Sequence, residues 1–199
     1  MEFSGSFELE GVAPGDAWVM LSDPVAVRNA LTGCKYITPI EGDDFDFDAY
    51  EPEEGLETLP EADPEVVAAR TFEEGQTYAA LLQIGVGSVK PKFESRITIE
   101  ERNSDTHRMV ASGRGNASDS TFEMESWMDI DETDDGSRIE WGAEADVAGR
   151  IAQLGGRVIN PVAERIVNNF FGNIEDQMTE VEASDEGGVT DRLRRMLGS

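Results

Sequence analysis

Length, composition and charge exclude several classes of protein before any motif is considered. The chain has 199 residues, of which 39% are hydrophobic, so it is long enough for one domain with a sizeable core. Its formal net charge of −26 comes from 42 acidic and 16 basic residues, and a surface this negative argues against nucleic-acid binding through phosphate contacts. We interpret the excess of acids as adaptation to a salty cytoplasm, since about 1 M salt shortens the Debye length to roughly 3 Å and screens self-repulsion.

The chain has a single cysteine, Cys34, and a single histidine, His107. We take this to exclude an intramolecular disulfide, zinc fingers, histidine-based metal sites and the triads or dyads that need an imidazole plus a thiol. We expect Cys34 to be a small buried apolar residue and His107 to lie in a turn. No basic-apolar export signal and no run of about 18 apolar residues is present, so the sequence predicts a cytoplasmic protein.

The first forty residues predict a strand, two short helices and a second strand. Phe3, Phe7 and Leu9 alternate with polar residues, which is typical of a half-buried strand. Pro14 and Pro24 each occupy a favourable first helical position, so one short helix is expected around Trp18 and another toward Leu31. The stretch GCKYITPI then returns to extended character.

Residues 41–76 form a segment rich in acids, proline and glycine, which contains GDDFDFDAYEPEEGLETLPEADPE. Clusters of this kind are typical of loops. We expect an insertion that is mostly solvated, with one strand near residues 45–50.

From Thr77 onward the pattern becomes a series of strands, each with one apolar face. The turn-rich stretches RNSDTH, NASDS and ETDDGS separate them, which predicts an antiparallel meander. The inward-facing apolar residues of these strands must be buried by another element of the fold.

The pattern from residue 147 to 174 predicts a long helix that packs on this apolar face. Its apolar residues recur at helical spacing: Ile151, Leu154, Val158, Val162, Ile166 and Phe170, widened by Ile159, Ala163, Val167, Phe171 and Ile174. Gly155, Gly156 and Pro161 weaken the helix. They are explained either by close packing and a tolerated kink, or by space left between helix and sheet for a ligand; the sequence leaves both open.

A cavity between this helix and the sheet would have apolar walls. The candidate ligand-binding residues are Phe7, Trp18, Leu82, Ile84, Phe93, Met109, Phe122, Met124 and Trp141 from the strands and short helix, with Leu154, Val158, Val162 and Phe170 from the long helix. Periodicity does not separate residues that face a ligand from residues that face a core. Carboxylate pairs are too numerous to indicate a catalytic dyad, so no catalytic residue and no metal ligand is assigned.

The chain ends in a short basic amphipathic tail after the acidic linker EASDEGG. We predict a single domain over residues 1–183, with linker and tail over 184–199. The tail is either a frayed end or a docking element for a membrane or a partner protein. The docking residues would be Val189, Arg192, Leu193, Arg194, Arg195, Met196 and Leu197.

Several stretches together resemble the CoxG family, which is named for a component of carbon monoxide dehydrogenase and lies within the START-like, Bet v 1-like superfamily. They are GCKYI, LLQIGVGSVKPKFESRITIEE, MVASGRGNAS, WGAEADVAGRIAQLGGRVI and NNFFGNI. The resemblance covers nearly the whole chain except residues 41–76 and the tail. It implies an α+β helix-grip fold, in which a strongly curved antiparallel sheet of six to seven strands wraps around a long C-terminal helix, with two short helices after the first strand.

The resemblance also implies a function. Proteins of this family are associated with recruiting a molybdenum hydroxylase-type carbon monoxide dehydrogenase to the cytoplasmic membrane, and relatives are thought to hold an isoprenoid quinone or lipid in the grip cavity. A non-enzymatic accessory protein, peripheral on the inner face of the membrane, is therefore expected, with no covalently bound cofactor. Two alternatives stand beside it: a cyclase- or hydrolase-like enzyme of the same superfamily, which needs polar groups converging in the cavity, and a structural protein with a collapsed core.

Overall fold

The computed structural model describes residues 1–42, 44–84 and 91–184, together with residues 193 and 195–197. Seven strands, four α-helices and one 3₁₀ turn make up this part of the chain. In chain order they are β1 (Glu2–Glu10), α1 (Pro14–Ser22), α2 (Pro24–Ala30), β2 (Cys34–Ile40), α3 (Pro64–Ala69), β3 (Thr77–Gln83), β4 (Lys92–Asn103), β5 (Arg108–Ala117), β6 (Ser120–Thr133), β7 (Gly136–Gly149), the 3₁₀ turn (Ala152–Leu154) and α4 (Gly156–Ser184). The predicted fold class is confirmed.

The strands form one curved antiparallel sheet in the order β1-β7-β6-β5-β4-β3-β2. Strands β3 to β7 are a meander, and β1 pairs with β7 at one edge. Directly paired residues lie on the same face of a sheet, so Phe7, Ile139 and Ile130 share one face across β1, β7 and β6. This is the inner face, against which the helices pack.

One end of the inner face is filled by α1 and α2. Residues 17–22 of α1 are all buried, and the ring of Trp18 lies 5.8 Å from that of His107 in the turn between β4 and β5. We call this the closed end. The opposite end, where β5 turns into β6 at residues 117–120, we call the open end.

Helix α4 is anchored through its C-terminal half. Phe171, Ile174, Met178 and Val181 are buried at spacings of three and four residues, as expected for one face of a helix packed on a core. This half rests on α1, α2 and the edge strand β1. The amide of Asn173 donates to the carbonyl of Ala30 in α2 at 2.7 Å.

The N-terminal half of α4 is not buried, which corrects the prediction of a helix mostly buried against the sheet. From residue 156 to 170 every side chain is half-buried or exposed. The predicted helix start is also wrong, since Gly155 at φ 69° separates the 3₁₀ turn from α4. Val167 and Phe170 pack against the main core, so only about the first three turns of α4 extend beyond that support.

The acidic insertion is exposed over most of its length, as composition predicts, but a few of its apolar residues fold back onto the domain. Phe45, Phe47 and Tyr50 fold over the outer face of β2 and β3 and form a second apolar cluster there, with no strand at residues 45–50. The Tyr36 hydroxyl donates to the carbonyl of Phe47 at 3.0 Å. The outer face of β2 and β3 carries apolar side chains, which explains why the aromatic residues of the insertion cover it.

The second half of the insertion joins the main core through α3. Val67 is buried in that core, and the guanidinium of Arg70 holds the carboxylate of Asp23 through two bonds of 2.9 and 2.7 Å. The Asp23 side chain is 3% exposed and also accepts the Val25 N–H as the N-cap of α2. This bidentate pair ties the insertion to the helical end of the domain.

Candidate functional site

The predicted cavity residues divide into two groups, and the first belongs to the closed core. Trp18 and Met109 are buried, and the rings of Phe7 and Phe171 stack with centroids 5.3 Å apart. Trp141 and Phe170 are half-buried and pack against the same core. These side chains already have protein neighbours, so they form the floor of the grip.

The second group lies at the open end and has no such packing. Its members are Leu82, Ile84, Phe93, Phe122, Met124, Leu154, Val158 and Val162, all half-buried or exposed. None of them packs against either apolar cluster within the part of the chain that the structure describes. Leu154 and Val158 are each 43% exposed.

The inner face is therefore apolar and unpacked at the open end, and we call the region between it and the first half of α4 the apolar cleft. Strand register places Leu82 beside Phe93 and Phe122 beside Val147 on the inner face, and the Phe93 and Phe122 rings lie 6.1 Å apart. The N-terminal half of α4, which is not buried, begins at this same end of the sheet. Chemically, such walls can hold a flat ring or a hydrocarbon chain but cannot fix a polar group in a set orientation.

The predicted set missed Val147 in the cleft and Arg102 on the inner face at the closed end. Val147 was visible in the alternation of β7 and was omitted from the cavity. Arg102 was hidden, since a bulge between Ile99 and Glu101 shifts the register of β4 and places Arg102 opposite Met109 on the inner face. Without the bulge, alternation would have turned its side chain outward.

The charged group that reaches the inner face, Arg102, lies at the closed end, while strand register also places the hydroxyl residues Ser95 and Ser126 on that face. The guanidinium of Arg102 sits 5.1 Å from the ring of Trp18 and donates to the Ser22 hydroxyl at 3.4 Å. Burial lowers the pKa of Arg102 from its usual value. A cation held over an indole stabilises the core, and this arrangement is structural.

The single histidine and the single cysteine show no sign of activation. Burial lowers the pKa of His107, so its imidazole is neutral at pH 7. Burial raises the pKa of the Cys34 thiol to about 11, and the thiol donates to the carbonyl of Tyr36. A thiol that stays protonated is a poor nucleophile. His107 lies in the predicted turn, whereas Cys34 is half-buried instead of buried as expected.

The outer face of the sheet carries a separate groove of about 790 Å³. Its walls include Thr98, Arg96, Arg114, Glu123 and Glu144. Charged and hydroxyl side chains in an open groove do not suit a hydrophobic ligand. The apolar cleft on the inner face is the better candidate site.

The described residues offer neither a metal site nor a membrane-spanning helix. Within those ranges, no group of three or more His, Cys, Asp or Glu side chains is placed to hold a metal ion. Among the same residues, no helix combines the length and hydropathy that crossing a bilayer requires.

The predicted docking tail is described only in part. Val189, Arg192 and Arg194 lie outside the described residues. Leu193 is buried in the main core, and Met196 and Leu197 are half-buried against it, while Arg195 is exposed. In this conformation the apolar face of the tail covers the chain's own core.

Solved structures share this architecture. A conserved protein from Geobacillus kaustophilus is 22% identical, with a TM-score of 0.66 over 90% of this chain and 96% of that one. The ZhuI aromatase/cyclase from Streptomyces sp. R1128 is 10% identical, with a TM-score of 0.55 and coverages of 94% and 97%. Norcoclaurine synthase from Thalictrum flavum is 8% identical, with a TM-score of 0.53 and coverages of 89% and 92%. At these identities the similarity establishes the fold alone.

Sequence comparison gives a more specific result. The family of the carbon monoxide dehydrogenase component CoxG matches residues 69–179, which is more than half of the chain. The matched range includes strands β3 to β7 and most of α4, and with them most of the apolar cleft. No curated protein matches the chain at a significant level.

Proposed function

Because the chain belongs to the CoxG family of carbon monoxide dehydrogenase components, we propose that it is a non-enzymatic accessory protein that holds a hydrophobic ligand between the sheet and α4. The observation that carries this proposal is the group of apolar side chains at the open end that pack against neither core cluster. Apolar surface left in water is costly, at about 25 cal/mol for each Å². A bound apolar ligand would remove that cost.

The ligand class follows from the side chains that line the cleft. They are aliphatic and aromatic, and include the Phe93–Phe122 pair and the exposed residues Leu154 and Val158. A lipid or an isoprenoid quinone, with a ring or head at one end and a long apolar chain, suits such a cleft. We propose one of these as the cargo, bound without a covalent link.

The proposal of a non-enzymatic role rests on the inner face. Arg102, the charged residue that the register of β4 places there, is held against Trp18 in the closed core, away from the cleft. Acid–base or nucleophilic catalysis needs a positioned pair of groups near the ligand. Most described residues of the cleft are apolar, and the serine hydroxyls that strand register places on the inner face, Ser95 and Ser126, have no acid or base assigned beside them, which favours a carrier over the cyclase- or hydrolase-like alternative.

The partner in this proposal is a carbon monoxide dehydrogenase-type molybdenum hydroxylase, as the family name indicates. We propose that the accessory protein helps to couple this enzyme to the membrane, and that the arginines of the tail take part in docking. The tail can contact a partner through Arg195 while Leu193 stays buried. Co-purification with a dehydrogenase of this class, lost on truncation after residue 184, would support the partnership.

The cargo is tested by extraction. The protein is purified without detergent in about 1 M salt, extracted with organic solvent and analysed by mass spectrometry. Met124 faces the cleft and its neighbour Glu123 faces the outer side, so Met124→Gln and Glu123→Gln form a matched pair. We expect a stoichiometric lipid or quinone with wild type and Glu123→Gln, and roughly tenfold less with Met124→Gln. An empty wild-type extract, with no rise in melting temperature on adding a quinone, would refute the carrier function.

A further inference from the structure

Arg102 at the closed end is a half-buried cation whose hydrogen bonds are incomplete. Its guanidinium donates to the hydroxyls of Ser104 and Ser22 at 3.3 and 3.4 Å, which are long bonds, and its buried Nε–H donates to no atom that the structure describes. The carboxylate of Glu74 accepts the backbone N–H of Arg102 at 3.0 Å and makes no ion pair with the guanidinium. In a chain with 42 acidic residues, this guanidinium has no carboxylate partner among those in the described ranges.

A second arginine of the sheet shows the partner that Arg102 lacks. The guanidinium carbon of Arg108 lies 5.8 Å from the ring of Trp127, and that of Arg102 lies 5.1 Å from the ring of Trp18. Arg108, however, also donates to the carboxylate of Asp129 at 2.6 Å. Burial lowers the pKa of Arg102, whereas the bond to Asp129 raises that of Arg108. The two arginines therefore differ in their counter-charge and not in their stacking.

Other buried donors at the closed end also lack an acceptor. The indole Nε1–H of Trp18, a residue only 2% exposed, donates to no described atom. The Tyr78 hydroxyl accepts the N–H of Glu73 at 2.9 Å, and its own proton has no acceptor among the described residues. Burial raises the pKa of Tyr78, while the Glu73 N–H and the charge of Arg102 act in the opposite direction, so Arg102 lies within electrostatic range of this hydroxyl. The closed end thus has more donors than acceptors.

The charge balance of this cluster is positive. Ser22 is the last residue of α1, and the C-terminal end of a helix contributes about half a negative charge. The face of the Trp18 ring adds a weaker attraction. Roughly half of the guanidinium charge is therefore unbalanced. A buried charge without a counter-charge destabilises a fold, and N–H groups without acceptors add to that cost.

We propose that Arg102, Trp18 and Ser22 form a binding site for a small monovalent anion such as chloride. A bound anion supplies the acceptor that the guanidinium and the indole N–H lack, in charge-assisted hydrogen bonds. One negative charge matches one guanidinium, whereas a dianion would leave a buried negative charge. The turn that follows Arg102 is exposed at Asp105 and Thr106, which gives the ion a path from solvent. Because the site lies at the closed end, this inference does not depend on the proposed carrier function.

The test varies chloride at constant ionic strength, because the net charge of −26 makes stability depend on ionic strength alone. Protein labelled with ¹⁵N is titrated from isethionate, a bulky organic anion, into chloride at a total of about 1 M salt. The indole N–H resonances of the three tryptophans are followed, and Trp18→Phe identifies that of Trp18. We expect a saturable shift for Trp18 and none for Trp127, which is 39% exposed on the outer face.

Matched variants locate the anion. Arg102→Met should abolish the saturable shift, and Arg108→Met, which removes the arginine that already has a carboxylate, should leave it unchanged. Arg102→Lys keeps the charge and loses the Nε–H, so it should bind chloride about tenfold more weakly. This variant provides the test if the methionine variant does not fold. In urea unfolding, chloride in place of isethionate should lower the unfolding equilibrium constant of wild type by at least about tenfold.

Three results would overturn the anion site. The first is a linear drift of all three indole resonances without saturation, which would mean that ordered water satisfies these donors. The second is a saturable shift that persists at wild-type affinity in Arg102→Met or Arg102→Lys. The third is a chloride effect on unfolding that is equal in wild type and in these variants, since such an effect would come from the solvent and not from a site.

Discussion

Replacing Arg70 by methionine tests how firmly the acidic insertion is held to the domain. Arg70 makes two hydrogen bonds with Asp23, at 2.9 and 2.7 Å, and its Nη2 also donates to the Glu57 carbonyl at 2.8 Å. The two side chains are 18% and 3% exposed. Methionine keeps the apolar stem and removes the charge, so the buried carboxylate of Asp23 loses its partner.

The size of the expected loss in stability follows from the burial of the Arg70–Asp23 pair. Breaking one side of a buried ion pair costs about 3–5 kcal/mol, and the partial exposure of Arg70 points to the lower end, about 3 kcal/mol. With a urea dependence of roughly 2 kcal/mol per M, the unfolding midpoint should fall by about 1.5 M. The curves should be recorded in about 2 M NaCl, where general charge repulsion is screened while the buried pair is affected much less.

Two controls separate this pair from charge in general. Arg138→Met removes an exposed partner of Glu8, with side chains 47% and 52% exposed, and should leave the midpoint unchanged within error. Asp23→Asn combined with Arg70→Met removes both charges and keeps a capping side chain, so it should recover most of the loss. A loss below about 1 kcal/mol for Arg70→Met would refute the argument that this pair secures the insertion.

Further predictions concern the core, the thiol and the solvent. Ile174→Ala should lower the free energy of unfolding in urea by about 3 kcal/mol, because Ile174 is fully buried. Phe122→Ala should lower it by less than half of that, because Phe122 lines the open cleft. Equal losses would mean that the cleft is packed. The pKa of Cys34 rises from 9.0 to about 11 on folding, so the folded state holds the proton more tightly. The contribution of the protonated thiol to stability is complete below about pH 9 and is lost as pH rises toward about 11. Cys34→Ala should therefore reduce the fall of unfolding free energy between those two pH values. An unchanged fall would contradict the raised pKa of Cys34. The melting temperature should rise between about 0.1 and 1 M KCl as the Debye length falls from about 10 to 3 Å, and a constant value would contradict charge repulsion as a limit on stability.

The sequence was informative wherever local pattern and burial agree. Alternation in β1 and in the meander predicted strands with one apolar face, and Pro14 and Pro24 marked the starts of the first two helices. These features depend on residues close together in the chain, through backbone preference and side-chain period. The family motifs then indicated how the elements assemble.

The errors arose where a contact between distant segments overrides composition. Residues 41–76 are mostly exposed, as their acids predicted, but composition gave no sign that Phe47 and Val67 are buried or that Arg70 pairs with Asp23. Composition averages over a segment, whereas burial depends on a few apolar residues that find a partner surface. The partner surfaces, the outer face of β2–β3 and the start of α2, lie elsewhere in the sequence.

By itself, the sequence determined the order of strands and helices, the apolar face of each strand and the acid-poor character of the segment leading into α4. Only the tertiary structure decided which half of α4 is buried, which way Arg102 points and which apolar residues remain without packing partners. The physical reason is that periodicity records which side of an element is apolar, but not how far its neighbours extend along it. The support that α1 and α2 give to the C-terminal half of α4 leaves the other half standing over an open apolar cleft.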